Sequence, residues 1–273
     1  DAAGATHDGL SWTTAFTNVQ DAISAAASLV PTNSVEIWVA EGTYYPDQGL
    51  GQINNDISST FQLRDEVALY GGFVSTETLR TQRNWSAHPT ILSGDIDGDG
   101  TPNNTALHVV SAMDLLNQAT LDGFIITGGN ANGAACPQGC GGGMYNKNSQ
   151  PALTNLTFIS NTARYGGAMY NFDHSRPSMN TLIFDGNQAL ADGGALFDDG
   201  VNLTASNIVF YANKAVRGGA IFHTSGSTLT SKFRNAIFWG NSATGGDANM
   251  HNETGSLSGS ELLYGILQGS CPP

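Results

Sequence analysis

The sequence predicts an all-β chain, a right-handed parallel β-helix (solenoid) with an N-terminal capping α-helix, and three observations carry that expectation. A six-residue unit, Gly141-Gly142-Gly143-Met144-Tyr145-Asn146, returns from Gly166, Gly193 and Gly218 at steps of 25 to 27 residues, with a degenerate copy at Gly245-Gly246-Asp247. A second motif, Phe-x-x-Asn, runs in step with it at Phe158 to Asn161, Phe184 to Asn187, Phe210 to Asn213 and Phe238 to Asn241. The composition completes the case: 34 glycines, 12% charged residues and only ten Lys and Arg favour turns and short strands over surface helices.

Element by element, the chain opens with an amphipathic segment from Thr13 to Val30. Phe16, Val19, Ile23 and Leu29 lie among alanines there, Thr13 or Thr14 can cap the start, and Pro31 ends it. Residues 1–34 therefore form a cap that plugs one end of the solenoid. Residues 35–140 carry irregular coils built on Val35 to Ala40, Phe61 to Leu63, Val67 to Tyr70, Thr90 to Leu92, Ala106 to Val110 and Leu121 to Ile126. Loops interrupt them near 46–60, 75–88 and 128–140. Residues 141–273 hold the regular coils, and the whole is a single domain of about nine coils.

One coil cannot bury an apolar face alone, but equivalent positions stacked about 4.8 Å apart make a continuous core and hydrogen-bond ladder. The four Phe residues then become an internal stack. Asn161, Asn187, Asn213 and Asn241 form an amide ladder at one turn, because Asn tolerates left-handed geometry and bonds neighbouring backbone. A looser column, Asn155, Thr181, Asn207 and Asn235, precedes each Phe by three residues. The Gly pairs read as sharp corners and not phosphate cradles, since strand-like residues follow them where a helix would be needed.

A net charge of −13 argues against nucleic-acid and anionic-membrane partners, which require clustered Lys and Arg. No apolar run approaches a membrane span, so direct membrane insertion is not expected. The first residue, Asp1, is read as the start of a mature or excised segment. Cys136 and Cys140 flank a five-residue turn and are expected to pair in an oxidising compartment, extracellular or at the cell surface; Cys271 stands alone.

The paired Gly-Gly-Ala-(Met/Leu/Ile) and Phe-x-x-Asn motifs resemble the repeats of the chlamydial polymorphic outer-membrane protein family, over about residues 141 to 250. The opening Gly9-Leu10-Ser11-Trp12, with Ala15-Phe16 and Val19-Gln20-Asp21-Ala22-Ile23, is similar to the capping start of pectate-lyase-like β-helices. The first resemblance implies an autotransported surface protein or adhesin. This chain shows no membrane β-barrel, so self-anchoring does not carry over.

Several constellations bear chemistry. Glycan hydrolysis needs two converging carboxylates, one a general acid. Asp198-Asp199 and Asp173-His174 are the nearest set, one coil apart, with Arg176 or Lys147 as the available lyase cation. The Gly-His-Gly and Arg-x-Lys motifs of polygalacturonase-like enzymes are absent. The column Asn146, Asn171, Asp198 and His223 makes Asn171, Asp198 and His223 candidates to bind a sugar or metal, against a solvated polar ladder. Its neighbour, Tyr145, Tyr170, Phe197 and Phe222, is either packing or a sugar platform. Asp192 and Arg217 are expected to form a surface ion pair worth at most about 1 kcal/mol.

The sharpest signal is Asp95-Ile96-Asp97-Gly98-Asp99-Gly100, where alternating carboxylates before Gly match the first half of a calcium loop. Ala106 stands where an EF-hand needs its bidentate Glu, so Asp95, Asp97 and Asp99 would bind Ca2+ only with supplementary ligands; the alternative is a solvated acidic turn. Two functions follow. One is a non-catalytic extracellular surface or structural module, adhesin-like or self-assembling, within a larger protein. Its partners would be a host surface, a glycan, or copies of itself meeting end to end beyond the strand Glu261 to Leu267. The other is a carbohydrate-active β-helical enzyme, a polysaccharide lyase or glycoside hydrolase.

Overall fold

The computed structural model describes residues 7–29, 34–200, 203–224, 231–253 and the strand 261–267. Parallel strands gather into sheets of eleven, seven and five members that wrap into a right-handed solenoid behind one N-terminal helix. The main path of the broad sheet runs Val35–Ala40, Val67–Phe73, Thr120–Asp122, Ala152–Ile159, Ser178–Asp185, Thr204–Tyr211, Lys232–Trp239 and Glu261–Leu267. That is eight coils among the described residues. The second sheet includes Met144–Lys147, Met169–Phe172, Leu196–Asp198, Ile221–His223 and Met250–Asn252, and the short sheet includes Thr162–Tyr165, Gln188–Asp192, Lys214–Ala215 and Ser242–Ala243.

The Phe-x-x-Asn spacing has a geometric cause. Phe points into the core, the next residue points out, and the third takes positive φ to turn the chain: Ser160 at 56°, Gly186 at 61°, Ala212 at 55° and Gly240 at 65°. The Asn that follows then faces inward again. Phe158, Phe184, Phe210 and Phe238 are fully buried, with ring centroids 5.2, 5.0 and 4.7 Å apart, and burying each contributes about 2 kcal/mol. The Oδ1 of Asn187, Asn213 and Asn241 each accepts both the backbone N–H and the Nδ2 of the Asn one coil earlier, at 3.0–3.1 Å, and Asn161 Oδ1 accepts the Gly129 N–H at 3.1 Å. Each Nδ2 also donates to a backbone carbonyl of the preceding coil, as Asn187 does to Phe158. The residues Ser160-Asn161, Gly186-Asn187, Ala212-Asn213 and Gly240-Asn241 are the entire connection between broad and short sheets in those coils.

The looser column sits in the middle of the long strands. Asn155, Thr181, Asn207 and Asn235 take φ of 51°, 57°, 57° and 51°, bending each strand so that one sheet lines two walls. Outside, Asn235 donates to Asn207 and Asn207 to Asn180. At the third corner the two glycines act differently: Gly193 turns the chain at φ 69°, while a Cβ on Gly194 would collide with the Gly219 carbonyl of the next coil. In the last coil, Met250 pairs with Ile221, which places Asp247 and Ala248 opposite Gly218 and Gly219. Gly245-Gly246 therefore lies before the corner and is not its copy.

Several expectations shift. The helix covers Val19–Leu29, not Thr13 onward; Trp12–Thr14 forms a 3-10 turn, and the Thr14 hydroxyl donates to Asp8 instead of capping a helix. Val19, Ile23 and Ala26 face the core, whereas Leu29 is exposed. Val30 and Pro31 lie outside the described residues. Gln20 fastens the helix by donating to the Pro46 and Thr60 carbonyls at 2.6 and 3.0 Å. The strand expected at Ala106 to Val110 runs instead over Val110–Met113, and Gly123, at φ 86°, splits Leu121 to Ile126 into two strands. The Asp192 and Arg217 pair is more than a surface contact. It is bidentate at 2.8 Å, Asp192 is buried, and the guanidinium lies 4.7 Å over the Phe222 ring.

Thr181 is the only β-branched residue of the kink column, and a branched Cβ in left-handed backbone costs about 1 kcal/mol relative to Asn. Thr181→Asn should raise the urea midpoint by a corresponding amount, and Thr181→Val should not; equal midpoints for the two variants would remove backbone strain as the explanation.

Candidate functional site

The acidic loop leaves the broad sheet after the strand Thr90–Ser93. An antiparallel bridge from Asp95 to Thr105 closes its base. Within it, Gly100 N–H donates to Asp95 Oδ2 at 3.1 Å, Thr101 N–H to Asp99 Oδ1 at 2.7 Å, and Asn104 Nδ2 to Asp97 Oδ2 at 3.2 Å. These turns bring one oxygen from each of Asp95, Asp97 and Asp99 within 4.8 Å of one another. Hydrogen bonds from Thr101 hold the Asp99 carboxyl below its ordinary range, so it stays ionised. Three carboxylates at that separation repel, and a cation between them would reverse the sign of the interaction.

The loop borders a groove of about 350 Å³ lined by Ser93, Thr101, Thr105, Thr127, Asn130 and Ser160 among others. Two buried acceptors on this groove, Asp95 Oδ1 and Asn130 Oδ1, have no hydrogen-bond partner among the described residues. The donor set is wholly oxygen, which suits hard cations and not zinc. Asp95, Asp97 and Asp99 thus form a cluster capable of coordinating a metal ion. Asn130 escaped the sequence reading because its place beside Asp95 depends on coil stacking, with Asn130 in register with Thr162, and not on any local motif.

The column Asn146, Asn171, Asp198 and His223 lies inside the solenoid, not on a solvated face. Alternation along the second sheet sends Met144 in, Tyr145 out and Asn146 in, and all four polar side chains are 0–1% exposed. Asn146 donates to Asn171 at 3.0 Å and Asn171 to Asp198 at 2.9 Å. Asp198 Oδ2 then lies 3.3 Å from His223 Nδ1, close enough for an ion pair but misdirected for a hydrogen bond. No ligand reaches Asn171, Asp198 or His223 from solvent. Asp199 and Asp173 are exposed outside the sheet, with Asp199 accepting from Tyr170 and Thr224 hydroxyls. The carboxyls of Asp198 and Asp199 therefore face opposite sides and do not converge. Lys147 lies 3.6 Å from Asp114, and Arg176 is exposed.

The aromatic column is packing. Tyr145, Tyr170, Phe197 and Phe222 stack at 5.0–6.0 Å, 1–7% exposed, with His108 and His251 stacked at the two ends. Tyr165, Phe172 and Cys140 cover them. A disulfide joins Cys136 to Cys140 across Cα atoms 5.2 Å apart and closes the loop that ends at Cys140. Cys271 lies outside the described residues.

Among known proteins, the family model described as the Chlamydia polymorphic membrane protein repeat matches residues 181–198, which span one Phe-x-x-Asn motif and the following Gly pair. No curated protein and no solved structure matches the chain.

Burial pushes the Asp198 carboxyl up to about 8 and the His223 imidazole down to about 4. Between pH 4 and 6.5 the folded pair and the unfolded pair each bind one proton, held on Asp198 when folded and on His223 when unfolded, so the two effects on stability cancel. From pH 6.5 to 8 only the folded Asp198 retains a proton, and stability falls as pH rises. Asp198→Asn should abolish that fall, measured as melting temperature against pH; a slope persisting in the variant would place the titrating group elsewhere.

Proposed function

We propose that this chain is a non-catalytic extracellular β-helical module, adhesin-like or assembling, in a larger secreted or surface protein. The observation that carries the reading is where the polar residues are spent. Asn161 to Asn241 and Asn146 to His223 are consumed inside the stack, and Asp198 and Asp199 diverge across one sheet. A glycosidase would need them to face a common substrate, and a lyase would need a cation beside such a pair. What remains outward is a rigid rod with long, regular faces. The Cys136–Cys140 bond supports an oxidising location. The match at residues 181–198 supports a surface role by its resemblance to repeats of surface proteins.

We further infer that the acidic loop takes calcium. Carboxylate oxygens on a short turn, with a carboxamide oxygen and hydroxyls beside them, give the irregular all-oxygen shell that calcium accepts and magnesium does not. Bound calcium would pin the loop to the groove. It would stabilise the fold by about 2.7 kcal/mol at a hundredfold excess over Kd.

Calcium at millimolar concentration should raise the melting temperature, and Asp97→Ala should remove that rise while leaving the metal-free value close to wild type. A calcium-independent melting curve would sink the metal assignment. Incubation with pectate or alginate should release neither reducing ends nor unsaturated products; release that disappears in Asp199→Ala would establish the enzyme instead.

A further inference from the structure

The outward side of the broad sheet changes along the rod. On Ala152–Ile159 the outward side chains are half-buried, but Ile183, Tyr211, Ile237 and Trp239 are 42, 47, 37 and 48% exposed. Interior rings stack on one another and lose both faces to the core. Tyr211 and Trp239 are register partners on adjacent strands, yet no ring pairing joins them among the described residues. The Tyr211 ring leans instead over Gly240, where a Cβ would stand 3.9 Å from its Cε2. Two aromatic rings are thus left side by side on an open surface, bordered by Ile183, Val209 and Ile237, with Asp185 in register beside Tyr211.

Across the left-handed kink lies a row of amides. Asn235 donates to Asn207 at 2.9 Å and Asn207 to Asn180 at 3.0 Å, which uses one N–H of each donating NH2 and leaves the second for a ligand. Beside it Arg234 is exposed and makes no ion pair among the described residues; its register neighbours, Ser206 and Leu263, carry no charge. In a chain of net charge −13 this sets a cation with no ion pair among the described residues across the kink from the aromatic pair, on the same strand as Trp239.

We propose that this strip, Tyr211 and Trp239 with Asn207, Asn235 and Arg234, binds an acidic oligosaccharide, an inference that rests on the non-catalytic module reading above. A pyranose ring has apolar C–H faces and a rim of hydroxyls. The two exposed rings fit the faces, the amide row fits the rim, and Arg234 fits a carboxylate or sulfate through its planar fork. A peptide adding as a strand needs a free backbone edge, and the backbone of this strip is already spent on neighbouring strands. A second copy would desolvate Arg234 without a counter-charge.

The test is calorimetric titration of the whole chain with three hexasaccharides: oligogalacturonate, a heparin fragment and neutral cellohexaose. At least one acidic probe should bind more tightly than cellohexaose, and the one preferred separates carboxylate from sulfate recognition. Trp239→Ala and Tyr211→Ala should each weaken binding about tenfold. Arg234→Gln should bring the acidic probe down to the neutral one, and Leu190→Ala, exposed on the short sheet, should change nothing. Unchanged melting curves would show that these outward substitutions leave the fold intact. Absence of binding for all three probes, or binding indifferent to the Tyr211, Trp239 and Arg234 variants, would overturn the strip. So would dimerisation that Trp239→Ala abolishes in sedimentation. New reducing ends in the titration cell would overturn the module reading on which the proposal stands.

Discussion

Three corner asparagines, Asn187, Asn213 and Asn241, bind the coil before with one oxygen that accepts two N–H groups, and the rest of the solenoid is arranged around that contact. The geometry works only if Asn161, Asn187, Asn213 and Asn241 stand directly over one another. It therefore fixes the register of everything between. Phe then stacks on Phe, and the third residue of the motif must take left-handed backbone in every coil. An amide left without its partner in this interior would cost about 1–3 kcal/mol, so the ladder tolerates few substitutions. The aromatic stack adds energy without setting register, because a ring can slide over its neighbour and a carboxamide cannot.

That division explains what could be read in advance. The Phe and Asn columns were legible because they repeat at fixed spacing, and a solenoid converts fixed spacing into contact. The strand Glu261–Leu267 was legible as a short run of apolar residues. The side on which Asn146, Asn171, Asp198 and His223 point was not legible. Polar residues on a strand normally face water, and only their two-residue spacing from Met144, Met169, Leu196 and Ile221 places them on the inward face. Gly245-Gly246 misled for a related reason, since a Gly pair marks a corner only when the next coil's carbonyl presses against it. The acidic loop was visible as a local motif, but its unpartnered neighbour Asn130 was not.

The two polar columns make opposite bargains with burial. The Asn ladder satisfies its amides through the stack and needs no charge. The second column begins with two amides and ends in Asp198 and His223, whose nearest atoms lack hydrogen-bonding geometry. Low dielectric drives both groups to their neutral forms, which keeps an ionised pair out of the core. Both columns keep their chemistry from solvent. The outward chemistry lies in two places far apart in sequence, the loop at Asp95 to Asp99 and the strip around Tyr211 and Trp239.

The connection between broad and short sheets stays at two residues in all four regular coils, whereas the stretch between second and broad sheets grows from four residues, 148–151, to five in the next two coils and eight in the last two. The larger length change thus falls at one edge of the rod, and a smaller one, from three residues to six, at the corner between short and second sheets. Insertions there leave the asparagine contact, and with it the stacking register, untouched. A lineage carrying this architecture can therefore lengthen, shorten or diversify those edges coil by coil while inheriting the asparagine corner unchanged.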